Sequence, residues 1–127
     1  MLNVSTEFRK GIFFVRLKGN LNKDTVGKLN KKVTNLVKDS GIRHIVFNFS
    51  NLKSIDMKGI NTIFYNYELC RNNDGRSLMC GGNDNIKKRL KSSRLVNYIY
   101  EIPDELSAMK ILNLGWLYGW NNKINFR

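Results

Sequence analysis

The seven residues "RHIVFNF", 43–49, constrain the fold more than any other stretch of the chain. Successive side chains of a strand point to opposite faces. Here Ile45, Phe47 and Phe49 fall on one face, and His44 and Val46 on the other. A strand apolar on both sets has to be covered on both sides, so it lies inside a sheet with a layer above and below. The flanking sequence supplies strands and helices in alternation. Residues 2–8 read as a short edge strand and "GIFFVRLK", 11–18, as a stronger one, with Gly11 in the hairpin turn. Val26, Leu29, Val33, Leu36 and Val37 follow at helical spacing, with Lys28, Lys31, Lys32 and Lys38 on the opposite side. Asn22 or Asp24 can cap that helix, and Gly41 can end it in the left-handed conformation.

After the central strand, "LKSIDMKGINTIF", 52–64, reads as a strand end, a tight loop and a helix start. Ile60, Ile63, Phe64 and Tyr67 mark the buried face of this helix, and Tyr65 the exposed one. "SLMCG" is a short buried strand, and a basic helix is expected over about 85–98. "YIYEI" holds a last short strand. Pro103, Asp104 and Glu105 then open a helix whose apolar side is Leu106, Met109 and Leu112. The order predicts an α/β domain with a mixed β-sheet of about four to five strands and about four helices. We expect the domain to span 1–113 and an aromatic, basic tail to span 114–127, with Trp116, Tyr118, Trp120, Lys123, Phe126 and Arg127.

Composition narrows the function classes. A chain of 127 residues, 42% hydrophobic, supports one core. It has no run of about eighteen apolar residues and no signal-peptide pattern at its start, so a cytoplasmic protein is expected. Cys70, Cys80 and the single His44 do not have zinc-site spacing, and buried free thiols are the expected state. No metal or cofactor is expected. Nor can a nucleophile with His and acid partners be assembled, so a catalytic role is not expected. The formal net charge of +12 points to an acidic protein, an anionic membrane surface or nucleic acid as partner.

Several segments together resemble the STAS domain family, and within it the bacterial anti-sigma factor antagonists. "VRLKGNLN" is similar to the family's strand and turn, with Gly19, Leu21 and Asn22 at the matching positions. "IRHIVFNFSNLKSID" resembles its central strand, "DMKGI" its D-S-x-G-[LI] motif, and "LMCGGNDNIKKRLKSSRL" its following strand and helix. The resemblance runs from about Phe13 to Leu112. It implies a single STAS-like domain and a partner-switching regulator of transcription. Such a protein binds an anti-sigma factor that is also a serine kinase, and phosphorylation at the start of the second helix turns binding off.

Carried over by position, Asp56 matches the family's acid and Gly59 its glycine. Met57 and Lys58 stand where hydroxyl residues are common, and Lys58 matches the usual phosphoacceptor. Neither has a hydroxyl, so the usual switch is not expected there. Ser54 is a weak candidate replacement and Ser50 a weaker one. The local reading of Asp56 is an N-cap, and of Gly59 a position of close helix packing. The implied docking surface comprises the loop Ser54, Asp56, Met57, Lys58 and Gly59, the turn at Asn20 and Asn22, and the exposed residues Asn61 and Tyr65. Lys87, Lys88, Arg89, Lys91 and Arg94 form a basic helix that is either a solvated face or an anion or partner patch. They lack interleaved aromatics, which disfavours nucleic acid. The tail is expected to pack across the domain or to self-associate. The rival reading is a STAS-type accessory subunit of a membrane transport system or a membrane-surface-binding protein.

Overall fold

A computed structural model describes the backbone of residues 1–118 and the side chains of residues 1–113. The sheet holds five strands: β1 (Leu2–Arg9), β2 (Ile12–Leu21), β3 (His44–Ile55), β4 (Ser77–Cys80) and β5 (Tyr100–Ile102), in the order β1-β2-β3-β4-β5. β1 pairs with β2 antiparallel, and the other neighbours are parallel. Four helical elements connect or cover them. α1 comprises Val26–Leu29, a π-helical stretch Asn30–Thr34 and Asn35–Ser40 in unbroken succession. α2 is Met57–Asn72, α3 is Asp84–Ser92 and α4 is Glu105–Tyr118. This is the mixed α/β sheet expected from the sequence.

The strand order advances one step at a time from β2 to β5. Right-handed crossovers therefore put α1, α2 and α3 on the same face. Leu29, Val33, Val37, Ile60, Ile63, Ile86 and Leu90 from these helices form one buried cluster with Phe13, Val15, Ile45, Phe47 and Phe49. α4 covers the other face, where Ala108 and Leu112 close on Ile12, Phe14, Val46 and Leu78. β3 is thus apolar on both sides because each side meets a different layer.

Six details differ from expectation. The strand end expected at the start of 52–64 reaches Ile55, which shortens the expected loop to Asp56 as the sole residue between strand and helix. The hairpin turn uses two left-handed residues, Lys10 and Gly11. Neither Asn22 nor Asp24 caps α1 with its side chain. Thr25 stands at that position, and Asn22 instead closes a turn by accepting the Asp24 N–H at 2.9 Å. Leu36 is 41% exposed. The wider π-helical turn takes up one extra residue, so Thr34 comes onto the buried face in its place, while Val37 is buried as its spacing implies. The basic helix stops at Ser92. Arg94 then takes a left-handed conformation, and a 3-10 turn, Leu95–Asn97, follows.

The sixth detail concerns α4. Its cap is Asp104, which accepts the Ser107 N–H at 2.8 Å, and Pro103 lies before the helix. Leu106 is exposed because the inward position at this end belongs to Glu105. That carboxylate accepts from Arg16 at 2.7 and 2.8 Å and from Asn48 at 2.8 Å. The expected domain boundary, between 113 and 114, falls inside α4. The tail residues Trp120, Lys123, Phe126 and Arg127 lie outside the described residues.

Candidate functional site

The parallel strands β2 and β3 end side by side, with Asn20 opposite Ser54 and Leu21 opposite Ile55. The Ser54 hydroxyl donates to Asn20 Oδ1 at 2.7 Å. One residue later the chain turns into α2. Asp56 is extended, and its Oδ1 accepts the Gly59 N–H at 2.8 Å, as an N-cap does. Its Oδ2 accepts the Lys23 N–H at 3.0 Å from the turn after β2. One carboxylate therefore ties together the two segments that form this end of the sheet. Partial desolvation pushes the Asp56 carboxyl up. The N–H groups of Gly59, Lys23 and Lys58, with the charge of Arg89, outweigh it and hold the group below the usual carboxylate range.

Gly59 allows this approach. A Cβ there would lie 2.8 Å from the Leu21 carbonyl oxygen and 2.9 Å from the Leu21 and Ile55 side chains. Position 59 thus has no room for a side chain, whereas Met57 is 56% exposed and Lys58 is exposed. The two side chains at the first two positions of α2 point away from the scaffold that holds them.

The expected site residues separate into groups. Asn20, Asn22, Ser54, Asp56, Met57, Lys58 and Gly59 gather at the carboxyl ends of β2 and β3. Lys58, Asn61 and Tyr65 continue along α2 and line a groove of about 480 Å³ against α1, which contributes Lys38. Of the basic set, Arg89 reaches the loop: its Nε donates to the Ile55 carbonyl at 3.1 Å. Lys87 lies instead beside Gly81, Glu101 and Pro103. Lys88, Lys91 and Arg94 are exposed.

A polar contact below this groove has no counterpart in the sequence reading. Asn66 is fully buried on α2, and its Nδ2 donates to Thr34 Oγ1 at 3.0 Å and to the Thr62 carbonyl at 2.9 Å. The Thr34 hydroxyl donates in turn to Asn30 Oδ1 at 3.1 Å. Asn66 follows Ile60 and Ile63 at helical spacing, and that position is the signal that marks it as inward. A buried polar contact of this kind fixes how α1 sits on α2.

His44 Nδ1 accepts the Arg76 N–H at 3.0 Å, and burial, with Arg43 and Arg76 nearby, lowers its pKa to about 4. Cys70 and Cys80 are buried and unbonded to each other, and burial pushes their thiols up to about 12 and about 11. Among the described residues, no group of three or more His, Cys, Asp or Glu could hold a metal, and no helix is long and apolar enough to cross a membrane.

Comparison with known proteins agrees with this architecture. An anti-sigma F factor antagonist of Paenibacillus polymyxa is 25% identical over 113 residues, which is 89% of this chain and 97% of that protein. The crystal structure of a putative anti-sigma factor antagonist from Thermotoga maritima superposes with a TM-score of 0.81 at 15% identity, over 87% of this chain and 94% of that one. The Bacillus cell fate determinant SpoIIAA, in its phosphorylated form, superposes with a TM-score of 0.68 at 17% identity, over 86% and 99% of the two chains. The family model of the STAS domain matches residues 3–109, from β1 into α4. The chain belongs to the STAS domain family.

Proposed function

We propose that this protein is a non-catalytic binding module of the anti-sigma factor antagonist type. Its partner is an anti-sigma factor of the serine-kinase kind, and it docks through the end of the sheet around Asp56. The match to an anti-sigma F factor antagonist over nearly the whole of both chains supports the regulator role. The observation that carries the reading is the contrast within one helical turn. Asp56 and Gly59 are locked by hydrogen bonds and close packing, while Met57 and Lys58 present exposed side chains without a hydroxyl.

The absence of a hydroxyl has a physical consequence. A phosphate at the start of a helix would bring about −1.5 to −2 charge to a docking surface. Lys58 brings the opposite sign and favours an acidic group on the partner. The protein therefore stays in its binding form in the presence of ATP. Titration of the full chain into a kinase-type anti-sigma factor with MgATP, followed by intact-mass measurement, tests this. We expect a stable complex and an unchanged mass. Stoichiometric phosphate on the chain, or no complex at micromolar concentration, would overturn the proposal.

A further inference from the structure

At the opposite end of the sheet, about 30 Å from the loop at ~3.3 Å per strand residue, a groove of about 650 Å³ opens where both cores surface. Its floor combines Ile12 and Leu112 from the α4 side with Phe13 and Ile42 from the three-helix side. Its walls are the β1–β2 hairpin turn, the last turn of α1 and, from α4, Leu112 and Asn113. Phe8, 63% exposed, and Leu36, 41% exposed, stand on two of these walls. Gly11 and Gly41 face open space, so neither turn closes the mouth.

The polar lining is one-sided. Lys10 and Arg43 sit on the rim, and no acidic residue is present among the described lining. Neither cation pairs with a carboxylate among the described residues. Arg43 donates one N–H to the Asp74 carbonyl at 3.0 Å, which holds the guanidinium at the edge without neutralising it. Burial keeps His44 uncharged near neutral pH, so the rim charge comes from Lys10 and Arg43. An apolar, concave site of ~300–1,000 Å³ with a few convergent polar groups is the usual form of a small-molecule site.

We propose that this groove binds a free amphipathic carboxylate: an aliphatic chain lying on Phe13, Leu36, Ile42 and Leu112, with its carboxylate facing Lys10 and Arg43. The volume fits a single small molecule rather than a protein element, and the rim charge fits an anion rather than a neutral lipid. The site is separate from the docking loop and does not depend on it.

Sodium decanoate, kept below its micelle concentration, is the probe, with binding followed by calorimetry and by methyl shifts of Ile12, Ile42 and Leu112 in the full chain. One saturable site is expected. Leu36→Asp and Arg43→Glu each weaken it about ten-fold or more, while thermal melting confirms that both variants fold. Decan-1-ol and decylamine, which lack the carboxylate, bind about ten-fold more weakly. Binding that survives Leu36→Asp, or that decylamine matches, overturns the proposal. So does the absence of methyl shifts at millimolar decanoate. Association with phosphatidylglycerol vesicles without binding of free decanoate would assign the groove to a membrane surface instead, and capture of an acidic amphipathic peptide alone would assign it to a protein.

Discussion

The two faces of the sheet are held by different means. On the three-helix face, Phe47 and Phe49 are fully buried and stacked, with centroids 6.1 Å apart and planes 5° from parallel. Apolar burial dominates there. On the other face a single helix supplies, among the described residues, the buried contacts Ala108 and Leu112, and an ionic cluster holds its first turn. Arg16 bridges Glu105 and Glu7, both at 2.7–2.8 Å. The thinner layer thus leans on electrostatics at the edge of its core, and this ionic cluster makes its stability respond to pH.

The largest expected effect tests the thick side. Phe47→Ala removes a fully buried ring and should lower the free energy of unfolding by about 3–5 kcal/mol, read by urea denaturation. Leu112→Ala on the thin side should cost less, about 2–3 kcal/mol, because one helix can settle toward the sheet more easily than three. An equal or larger loss for Leu112→Ala would break the comparison.

Glu105→Gln should come next, at about 1–2 kcal/mol after allowance for partial solvent exposure. Its hydrogen bonds with Arg16 hold the Glu105 carboxyl below its ordinary 4.5, against a smaller opposing effect of burial and with help from Asn48. The folded state therefore binds the proton less readily than the unfolded one. Its contribution is whole above the ordinary value and fades as pH falls through the lower folded value. Stability measured from pH 7 down to pH 3 should fall less steeply in Glu105→Gln than in the parent; parallel curves would remove the ionic part of the contrast.

The loop end gives the smallest effects. Asp56→Ala removes the cap of α2 and the tie to Lys23, for a loss of about 1 kcal/mol. Lys58→Ser changes an exposed position and should stay within about 0.5 kcal/mol of the parent. In the D-S-x-G register the serine falls at position 57, so in the kinase assay Met57→Ser, rather than Lys58→Ser, should gain one phosphate. If it folds normally and stays unmodified, the identity of the residue after Asp56 is not what sets the response.

What was legible in the sequence was local. The two-sided pattern of residues 44–49 fixed the central strand. Asp56, just ahead of the helical spacing of Ile60, Ile63 and Phe64, marked a capped helix, because a cap involves neighbours in the chain. Two kinds of feature lay beyond that reading. The phase of a long helix was one: the π-helical stretch turned Leu36 outward although its spacing suited the buried face. Non-local partners were the other. Glu105 turns inward because Arg16, 89 positions earlier, stands on the adjoining face of the sheet, and this displaces Leu106. Arg89 joins the loop through a backbone carbonyl, which no side-chain pattern records.

Position 59 tolerates nothing larger than hydrogen, while positions 57 and 58 are open to solvent. In a lineage of such proteins the first is frozen by geometry and the other two are free to drift. A hydroxyl can therefore be lost or regained at the head of α2 by a single codon change, with the scaffold left intact. Under the proposed function, responsiveness to a kinase would be an attribute that descendants can set independently of their architecture.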